Sequence, residues 1–257
     1  MNALIDSFLG EWLKRRRSAA TTLVWAGAFF IPAIALIGRL DSLSTLATAN
    51  AAPHVWEALY GRCWQFMGFF LLPMGVILAT SLVTQLEFKN NTWKQVHTSP
   101  QPLTRVFWAK LAVIGTMLLQ FFFLFNTGIY LVGVIPGLFI SGVHYPAEPF
   151  PLLAFLKGNG YFFIDCLPIV ALQYLVSLQF RNFLVPLGLG IALYVAGMMA
   201  TLWKYGYIVP YAYCALNFTR KGVGAGKTAN IHGWALAYFG LFTIVAYILY
   251  ITKKDKS

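Results

Sequence analysis

Residues 85–111 read QLEFKNNTWKQVHTSPQPLTRVFWAKL and form a polar, basic stretch between two long apolar runs. The acidic Glu87 is followed by two asparagines, a short amphipathic segment around Trp93, and a return that Pro100 and Pro102 interrupt. Asparagine and threonine favour turns and helix N-caps, and proline disfavours helix at the residue before it. The pattern predicts a short helix in a surface loop, with an apolar face that so small a loop cannot bury. Such an element is suited to docking a partner.

The composition of the whole chain is that of an integral membrane protein. Of its 257 residues 59% are hydrophobic and 11% are charged, whereas a soluble domain carries about 25% charged residues. A bilayer core of about 30 Å needs about 20 apolar residues per helix. Runs of that length, one of them interrupted by Asp165, occur at 18–38, 63–86, 111–143, 158–180, 182–203 and 233–252. We therefore predict an all-α fold with six transmembrane helices in one domain over 1–257.

The segment before the first apolar run is amphipathic. Apolar side chains recur at helical spacing from Leu4 to Leu13, and four basic residues follow at 14–17. A helix of this kind lies in the membrane interface with its apolar side toward the lipid. We predict an interfacial helix over 1–17, a six-span bundle over 18–252 and a cytoplasmic tail over 253–257. A frayed segment is the alternative for 1–17.

The formal net charge of +11 raises the question of nucleic-acid binding, but the positions of the charges indicate membrane orientation instead. Cytoplasmic loops of membrane proteins carry an excess of lysine and arginine. If the N-terminus is cytoplasmic, twelve of the nineteen basic residues lie on the cytoplasmic side. We predict that both termini are cytoplasmic, that the chain contacts membrane lipid, and that it binds no nucleic acid.

Three outer loops follow from this orientation. The first is 40–61, which is polar and rich in Ala, Ser and Thr. The second is 136–157, because Pro136 and Gly137 are expected to end the third span. The stretch 204–232 is rich in Tyr and Gly, and a short re-entrant helix is expected near 208–218.

The sequence contains no convincing enzyme site. The stretch 222–228 reads GVGAGKT, but a phosphate-binding loop needs glycine at the position that Lys221 occupies. His54 and Glu57 have no second histidine at metalloprotease spacing, and the cysteines have no metal-ligand spacing. We therefore predict no catalytic, cofactor-binding or metal-binding residue in this chain.

Asp165 is the acid within the fourth apolar run, and placing it in lipid costs several kcal/mol, roughly 3 on insertion scales. It must therefore face protein or water. Three interpretations are open. Asp165 bonds to a neighbouring helix, or reaches toward the outer surface, or lines a transport route. Pro168 lies one turn further on and permits a local kink.

The polar stretch resembles the loop that follows the second span of type-2 ATP-binding-cassette permeases, closest to the bacterial lantibiotic-immunity and bacitracin-type group. In this group an acid precedes a Gly-Thr-Trp-Lys-like turn, a proline-containing loop and an aromatic-x-x-Lys helix start. Asn91 stands here where the group usually has glycine. The residues that carry the resemblance are Glu87, Asn91, Thr92, Trp93, Lys94, Thr98, Pro100, Arg105 and Lys110.

The resemblance implies a permease subunit of the bacterial inner membrane that works as a dimer with a second copy or a homologous permease. A separate cytosolic ATPase, which holds ATP and Mg²⁺, would dock on loop 86–105 and on the N-terminal helix. A peptide, a lipid or another amphiphile would be exported. The implied coupling residues are Glu87, Asn91, Thr92, Trp93, Lys94, Arg105 and Lys110. The alternatives are a secondary transporter with Asp165 as its coupling acid, and a scaffold or sensor without flux.

Overall fold

A computed structural model describes residues 3–16, 18–89, 102–219 and 230–252. Within these ranges the chain is helical and contains no β-strand, so the all-α prediction is confirmed there. In chain order the elements are α1 (Ala3–Arg16), α2 (Ala19–Asp41), α3 (Leu43–Ala51), α4 (Val55–Phe66), a π-helical turn (Met67–Leu71), α5 (Leu72–Lys89), α6 (Leu103–Phe139), α7 (Leu152–Gln179), α8 (Leu184–Ala200), two 3₁₀ turns (Gly206–Ile208 and Pro210–Ala212), α9 (Tyr213–Thr219) and α10 (Ile231–Thr252).

Five helical segments of the described chain are long and apolar enough to cross a membrane. They are Ala19–Asp41, Val55–Gln85, Leu103–Phe139, Leu152–Gln179 and Ile231–Thr252. The remaining predicted span, 182–203, contains α8, an apolar helix of 17 residues. At 1.5 Å per residue α8 is about 25 Å long, slightly less than a hydrocarbon core of about 30 Å. The structure is thus a multi-pass helical bundle with five long spans.

The structure adds helices to one predicted outer loop and corrects the end of one predicted span. The stretch 40–61 is mostly helical, because α3 occupies Leu43–Ala51 and α4 begins at Val55. Its alanines, which have the highest helix propensity, outweigh the small polar residues between them. Pro136 does not end the third span, since α6 continues to Phe139. A proline one turn from a helix end removes a single backbone hydrogen bond, so the helix tolerates it.

Two other local expectations are confirmed in part. The N-terminal segment is helical over Ala3–Arg16 and not frayed, although its position relative to lipid stays a prediction. A short helix does form near 208–218, where α9 follows the two 3₁₀ turns. The residues 212–216 are almost fully buried against the bundle.

Two glycines of α6 let neighbouring helices approach it closely. A Cβ atom at Gly128 would lie 2.8 Å from the ring of Pro32 in α2. A Cβ atom at Gly133 would lie 2.5 Å from the indole of Trp56 in α4. Contacts this short do not occur, so any larger residue would push these helices apart. Small residues at helix contacts are typical of membrane bundles, in which packing replaces the hydrophobic effect as the driving force.

The centre of the bundle is aromatic. Trp64 of α4 is fully buried, and its ring stacks on Phe122 of α6 and on Phe162 of α7 with centroid separations of 5.3 and 4.3 Å. Phe125 meets the same indole edge-on at 4.9 Å. A single side chain therefore joins three helices.

The second long span changes geometry near its middle, where the π-helical turn Met67–Leu71 precedes Pro73. Proline has no N–H, so the carbonyl of Phe69 lacks its usual helical donor four residues on. The hydroxyl of Tyr194 in α8 donates to this carbonyl at 2.7 Å. The hydrogen bond ties the irregular part of the span to α8.

We expect Tyr194→Phe to lower the free energy of unfolding by about 1 kcal/mol, because the Phe69 carbonyl is left without its donor in apolar surroundings. Tyr238→Phe is the matched control, since the Tyr238 hydroxyl donates to the Ile208 carbonyl at an exposed position. The three cysteines are free and buried, so the reaction of a thiol dye during heating in detergent reports unfolding. Equal stability of the two variants would contradict the prediction.

Candidate functional site

The stretch that the sequence marks for docking lies between α5 and α6. Glu87 belongs to the last turn of α5, and its side chain is outside the described part of the chain. The other residues of the turn motif fall within 90–101, outside the described residues as well: Asn91, Thr92, Trp93 and Lys94. The structure therefore describes the two helices that flank the motif.

The last two predicted coupling residues lie near the start of α6. Arg105 is exposed in the first turn, where a partner can reach it. Lys110 is only 2% exposed and is buried within the fold. Burial alone does not test the predicted role of Lys110 in coupling, which stays a prediction.

Hydrogen bonds anchor the chain on both sides of segment 90–101. Before the segment, the Gln85 amide donates to the Phe180 carbonyl at 2.7 Å and to the Ser177 carbonyl at 3.4 Å, at the end of α7. After the segment, the hydroxyls of Thr104 in α6 and Tyr247 in α10 lie 3.0 Å apart. Both ends of the predicted docking segment are therefore bonded to helices further along the chain.

The N-terminal helix α1 packs against α6 through a buried arginine. The guanidinium of Arg15 lies 3.8 Å over the Trp12 ring and donates to the side-chain oxygen of Gln120 at 3.1 Å. Burial lowers the pKa of the Arg15 guanidinium, but arginine still stays charged at neutral pH. Phe8 and Trp12 pack against the core. The helix is thus attached to the bundle and is not a free tail.

A buried polar cluster lies between α5, α7 and α8. The amide of Gln173, which is 1% exposed, donates to the Ser81 hydroxyl at 2.8 Å and to the Pro186 carbonyl at 2.7 Å. The hydroxyl of Tyr211, from the second 3₁₀ turn, lies 3.4 Å from the Gln173 oxygen. These bonds satisfy polar groups that apolar surroundings would otherwise penalise, and they fix how the three helices meet.

Asp165 is fully buried and bonds to two segments that follow it in the chain. One carboxylate oxygen accepts from the Asn217 amide of α9 at 2.6 Å, and the other lies 2.8 Å from Nδ1 of His232 in α10. The His232 ring stacks on Tyr161, one turn before Asp165, with a centroid distance of 4.5 Å. These bonds are those of the first interpretation given above, a bond to neighbouring helices, while a place for Asp165 on a transport route stays a prediction.

An open cavity of about 990 Å³ adjoins the Asp165 cluster at the end of the bundle opposite segment 90–101. His232 and Asn217 line it, whereas Asp165 lies behind them. Tyr60, Tyr161 and several phenylalanines form aromatic walls, and Lys157 and Glu57 lie at the rim. The buried carboxylate orients the imidazole at the cavity wall, so the cavity presents hydrogen-bonding groups beside aromatic surface.

Sequence reasoning found the acid but missed its partners. Asn217 and His232 are 52 and 67 residues from Asp165 along the chain. The available signal was that a buried carboxylate needs polar partners. That signal does not say which ones, because the choice depends on how α7, α9 and α10 pack. Gln173 in α7 offered the same signal and was missed as well.

Comparison with known families matches a model described as ABC-2 family transporter protein to residues 8–197. The match begins within α1, ends within α8, and includes segment 90–101 and Asp165. No curated protein and no solved structure matches the chain. The match establishes the family, while the lantibiotic-immunity and bacitracin-type subgroup stays a prediction. Because the match covers most of a chain that folds as a bundle of long apolar helices, this protein belongs to the ABC-2 transporter family and is a multi-pass membrane permease of an ABC transporter.

Proposed function

We propose that this permease exports an amphiphilic cargo, such as a peptide or a lipid, using ATP hydrolysis on a separate cytosolic subunit. The observation that carries the proposal is the pair of anchors around segment 90–101. Gln85 is bonded to the end of α7, and Thr104 is bonded to α10. A force applied to the segment therefore reaches α7 and α10 as well as α5 and α6.

The packing of α7 and α10 makes them suited to receive such a force together. Their mutual contact is the most extensive between any two described helices. Toward the opposite end of the bundle, the bond between Asp165 and His232 joins them again. On this proposal the two helices move as one unit when the docking segment moves.

The proposed topology has six spans, with both termini in the cytoplasm and the protein in a bacterial inner membrane. The sixth span is α8, which is short for a bilayer. Tyr211 is buried beside Gly197 near the end of α8, so the chain that follows α8 packs back into the bundle. The excess of basic residues on the side of the termini supports this orientation.

The ATPase partner is proposed to bind loop 86–105 together with α1, which would lie along the cytoplasmic interface. ATP and Mg²⁺ belong to that partner, and the permease works as a dimer with a second copy or a homologous chain. Closure of the ATPase pair would move the docking loops and shift the bundle between inward- and outward-facing states. Such a shift requires that each nucleotide state favour one arrangement of the permease. The surface residues proposed to make the contact are Glu87, Asn91, Thr92, Trp93, Lys94 and Arg105.

The two alternatives predict different behaviour in inverted membrane vesicles. The exporter accumulates a fluorescent amphiphile only with ATP and the co-produced ATPase. A secondary transporter that uses Asp165 accumulates it with a proton gradient and no ATPase, and a scaffold or sensor accumulates none. The exporter is favoured because Asp165 lies behind Asn217 and His232, away from the adjoining cavity.

Substitutions at Trp93 and Glu87 test the docking assignment. Truncating a buried interface aromatic typically costs ~2 kcal/mol or more, which is about thirtyfold in affinity. We expect Trp93→Ala and Glu87→Ala to reduce co-purification of the ATPase with the tagged permease, the former by about that factor, while membrane insertion and the ATPase's basal hydrolysis persist. Trp203→Ala is the control, because Trp203 is exposed at the opposite end of the bundle. Normal transport and an unchanged complex in both variants would contradict the proposal that the ATPase docks on this loop.

A further inference from the structure

Two arginines line one cavity of about 510 Å³ at the end of the bundle opposite segment 90–101. Arg39 lies near the end of α2 and Arg62 lies in α4. The cavity also includes Ser42 and Thr45 at the start of α3, where a helix carries partial positive charge. No acidic side chain is among its described lining residues. The electrostatic character of the cavity is therefore positive.

The described chain does not neutralise these two charges. Arg39 donates to the side-chain oxygen of Asn50, which is a neutral acceptor. Arg62 makes no hydrogen bond or ion pair with the described residues, and Asp41, two residues after Arg39, pairs with neither arginine. Arg62 also repels Arg39 electrostatically. Two like charges that share a cavity destabilise one another, and an anionic ligand between them would relieve the repulsion.

A buried polar anchor holds Arg39 in position. Asn50 is 1% exposed, and its amide nitrogen donates to the His144 carbonyl at 2.8 Å. The Asn50 oxygen is thereby fixed toward the Arg39 guanidinium. The remaining Arg39 donors have no partner among the described residues. A guanidinium held in this way can present two parallel N–H groups to a phosphate, which is the geometry that arginine binds best.

Further from this end of the bundle than the two arginines, the walls of the cavity are apolar. They include Ile31 and Ile34 of α2 and Phe66 of α4. Ile34 and Phe66 are more than half exposed, so the apolar wall continues onto the outer surface of the bundle. Along α2, Ile31 lies about 12 Å from Arg39 at 1.5 Å per residue. This spacing suits a ligand with a charged head at the membrane boundary and apolar chains in the hydrocarbon.

We propose that this cavity binds a membrane phospholipid, with the phosphate between Arg39 and Arg62 and the acyl chains against Ile31, Ile34 and Phe66. Because the charged side chains among the described lining residues are all positive, lipids with a net negative headgroup should bind more tightly than zwitterionic lipids. The site is separate from the Asp165 cluster and from the docking segment, and it does not depend on the direction of transport.

Native mass spectrometry of the full-length protein tests the proposal. The protein is equilibrated with equal amounts of phosphatidylglycerol and phosphatidylcholine, and the lipids that stay bound are counted. The wild type should retain phosphatidylglycerol preferentially. The double variant Arg39→Gln/Arg62→Gln should lower that retention about tenfold, as expected for the loss of charge-assisted hydrogen bonds. Lys157→Gln, which removes a positive charge outside the cavity at the same end of the bundle, should leave retention unchanged.

The single variant Arg62→Gln keeps the test independent of folding, because Arg62 has no bond to the described chain that its loss would break. It should lower retention by severalfold on its own. Unchanged retention in both arginine variants would overturn the proposal. Displacement of the bound lipid by millimolar inorganic phosphate would show a site for a free anion instead. A change in dimer content without loss of lipid would place a second copy of the chain at the arginines and would also overturn it.

Discussion

Replacing Asp165 by alanine is expected to lower the free energy of unfolding by about 3 kcal/mol. The carboxylate accepts from Asn217 at 2.6 Å and contacts Nδ1 of His232 at 2.8 Å, and it is fully buried. Alanine would leave an amide and an imidazole without their acceptor and would open a void between α7, α9 and α10. A single interhelical hydrogen bond in a membrane contributes about 0.6 kcal/mol on average, so the two lost bonds alone would account for the smaller part.

Asp165→Asn is the matched control for this substitution. The asparagine has the same shape, and its oxygen can accept from Asn217 while its nitrogen can donate to Nδ1 of His232. Most of the stability lost with alanine should therefore be retained. In the double variant Asp165→Ala/His232→Ala the total loss should be smaller than the sum of the two single losses, since each alone leaves the other group unpaired.

Thermal unfolding in detergent, followed with a thiol dye on the buried cysteines, measures these effects. For a chain of this size, about 3 kcal/mol corresponds to a fall in Tm of roughly 5–10 °C. Alanine and asparagine variants with the same Tm would show that the hydrogen bonds to the carboxylate contribute nothing. Additive losses in the double variant would show that Asp165 and His232 are not coupled.

Trp64→Ala is expected to have an effect of similar size for a different reason. Trp64 is fully buried and stacks between Phe122 and Phe162, with Phe125 at its edge. In a membrane the side chain is not moved from water to oil, so the loss comes from packing. A residual cavity on the order of 100 Å³, at ~24 cal/mol per Å³, corresponds to about 2–3 kcal/mol.

Trp64→Phe separates packing from hydrogen bonding. The indole N–H of Trp64 is buried and has no hydrogen-bond partner, so phenylalanine removes no polar interaction and much less volume. We expect it to keep at least half of the stability that alanine loses, in the same thermal assay. A loss as large as that of alanine would mean that the indole N–H has a partner after all, or that the stack does not tolerate a smaller ring.

Hydropathy predicted the five long spans because bilayer thickness sets the length of an apolar helix that crosses it. Five of the six predicted spans are long apolar helices. The criterion was weakest at 182–203, where α8 ends at Ala200 after 17 residues. At 40–61 low hydropathy separates the stretch from the spans but does not reveal that it forms helices. Polar residues do not prevent a helix when alanine and leucine lie between them.

The residues of the docking motif were predicted from their order in the chain, and their role in docking stays a prediction. The hydrogen bonds that join this stretch to the rest of the protein could not be predicted from the order of its residues. Nothing in the sequence distinguishes Gln85 and Thr104 from other polar residues. They act as anchors because Gln85 bonds to Phe180 and Thr104 bonds to Tyr247. Lys110 shows the opposite case, since a basic residue near a surface loop is buried in the fold.

The sequence by itself determined that this chain is a helical membrane protein, where most of its spans lie, and that Asp165 needs a polar partner. These properties depend on the local composition of the chain and on the cost of placing polar groups in lipid. Only the tertiary structure decided that the partners are Asn217 and His232, and that Arg39 and Arg62 share a cavity. Many arrangements of apolar helices satisfy the same hydropathy, so such pairings depend on which helix faces meet, and that is set by packing between distant segments.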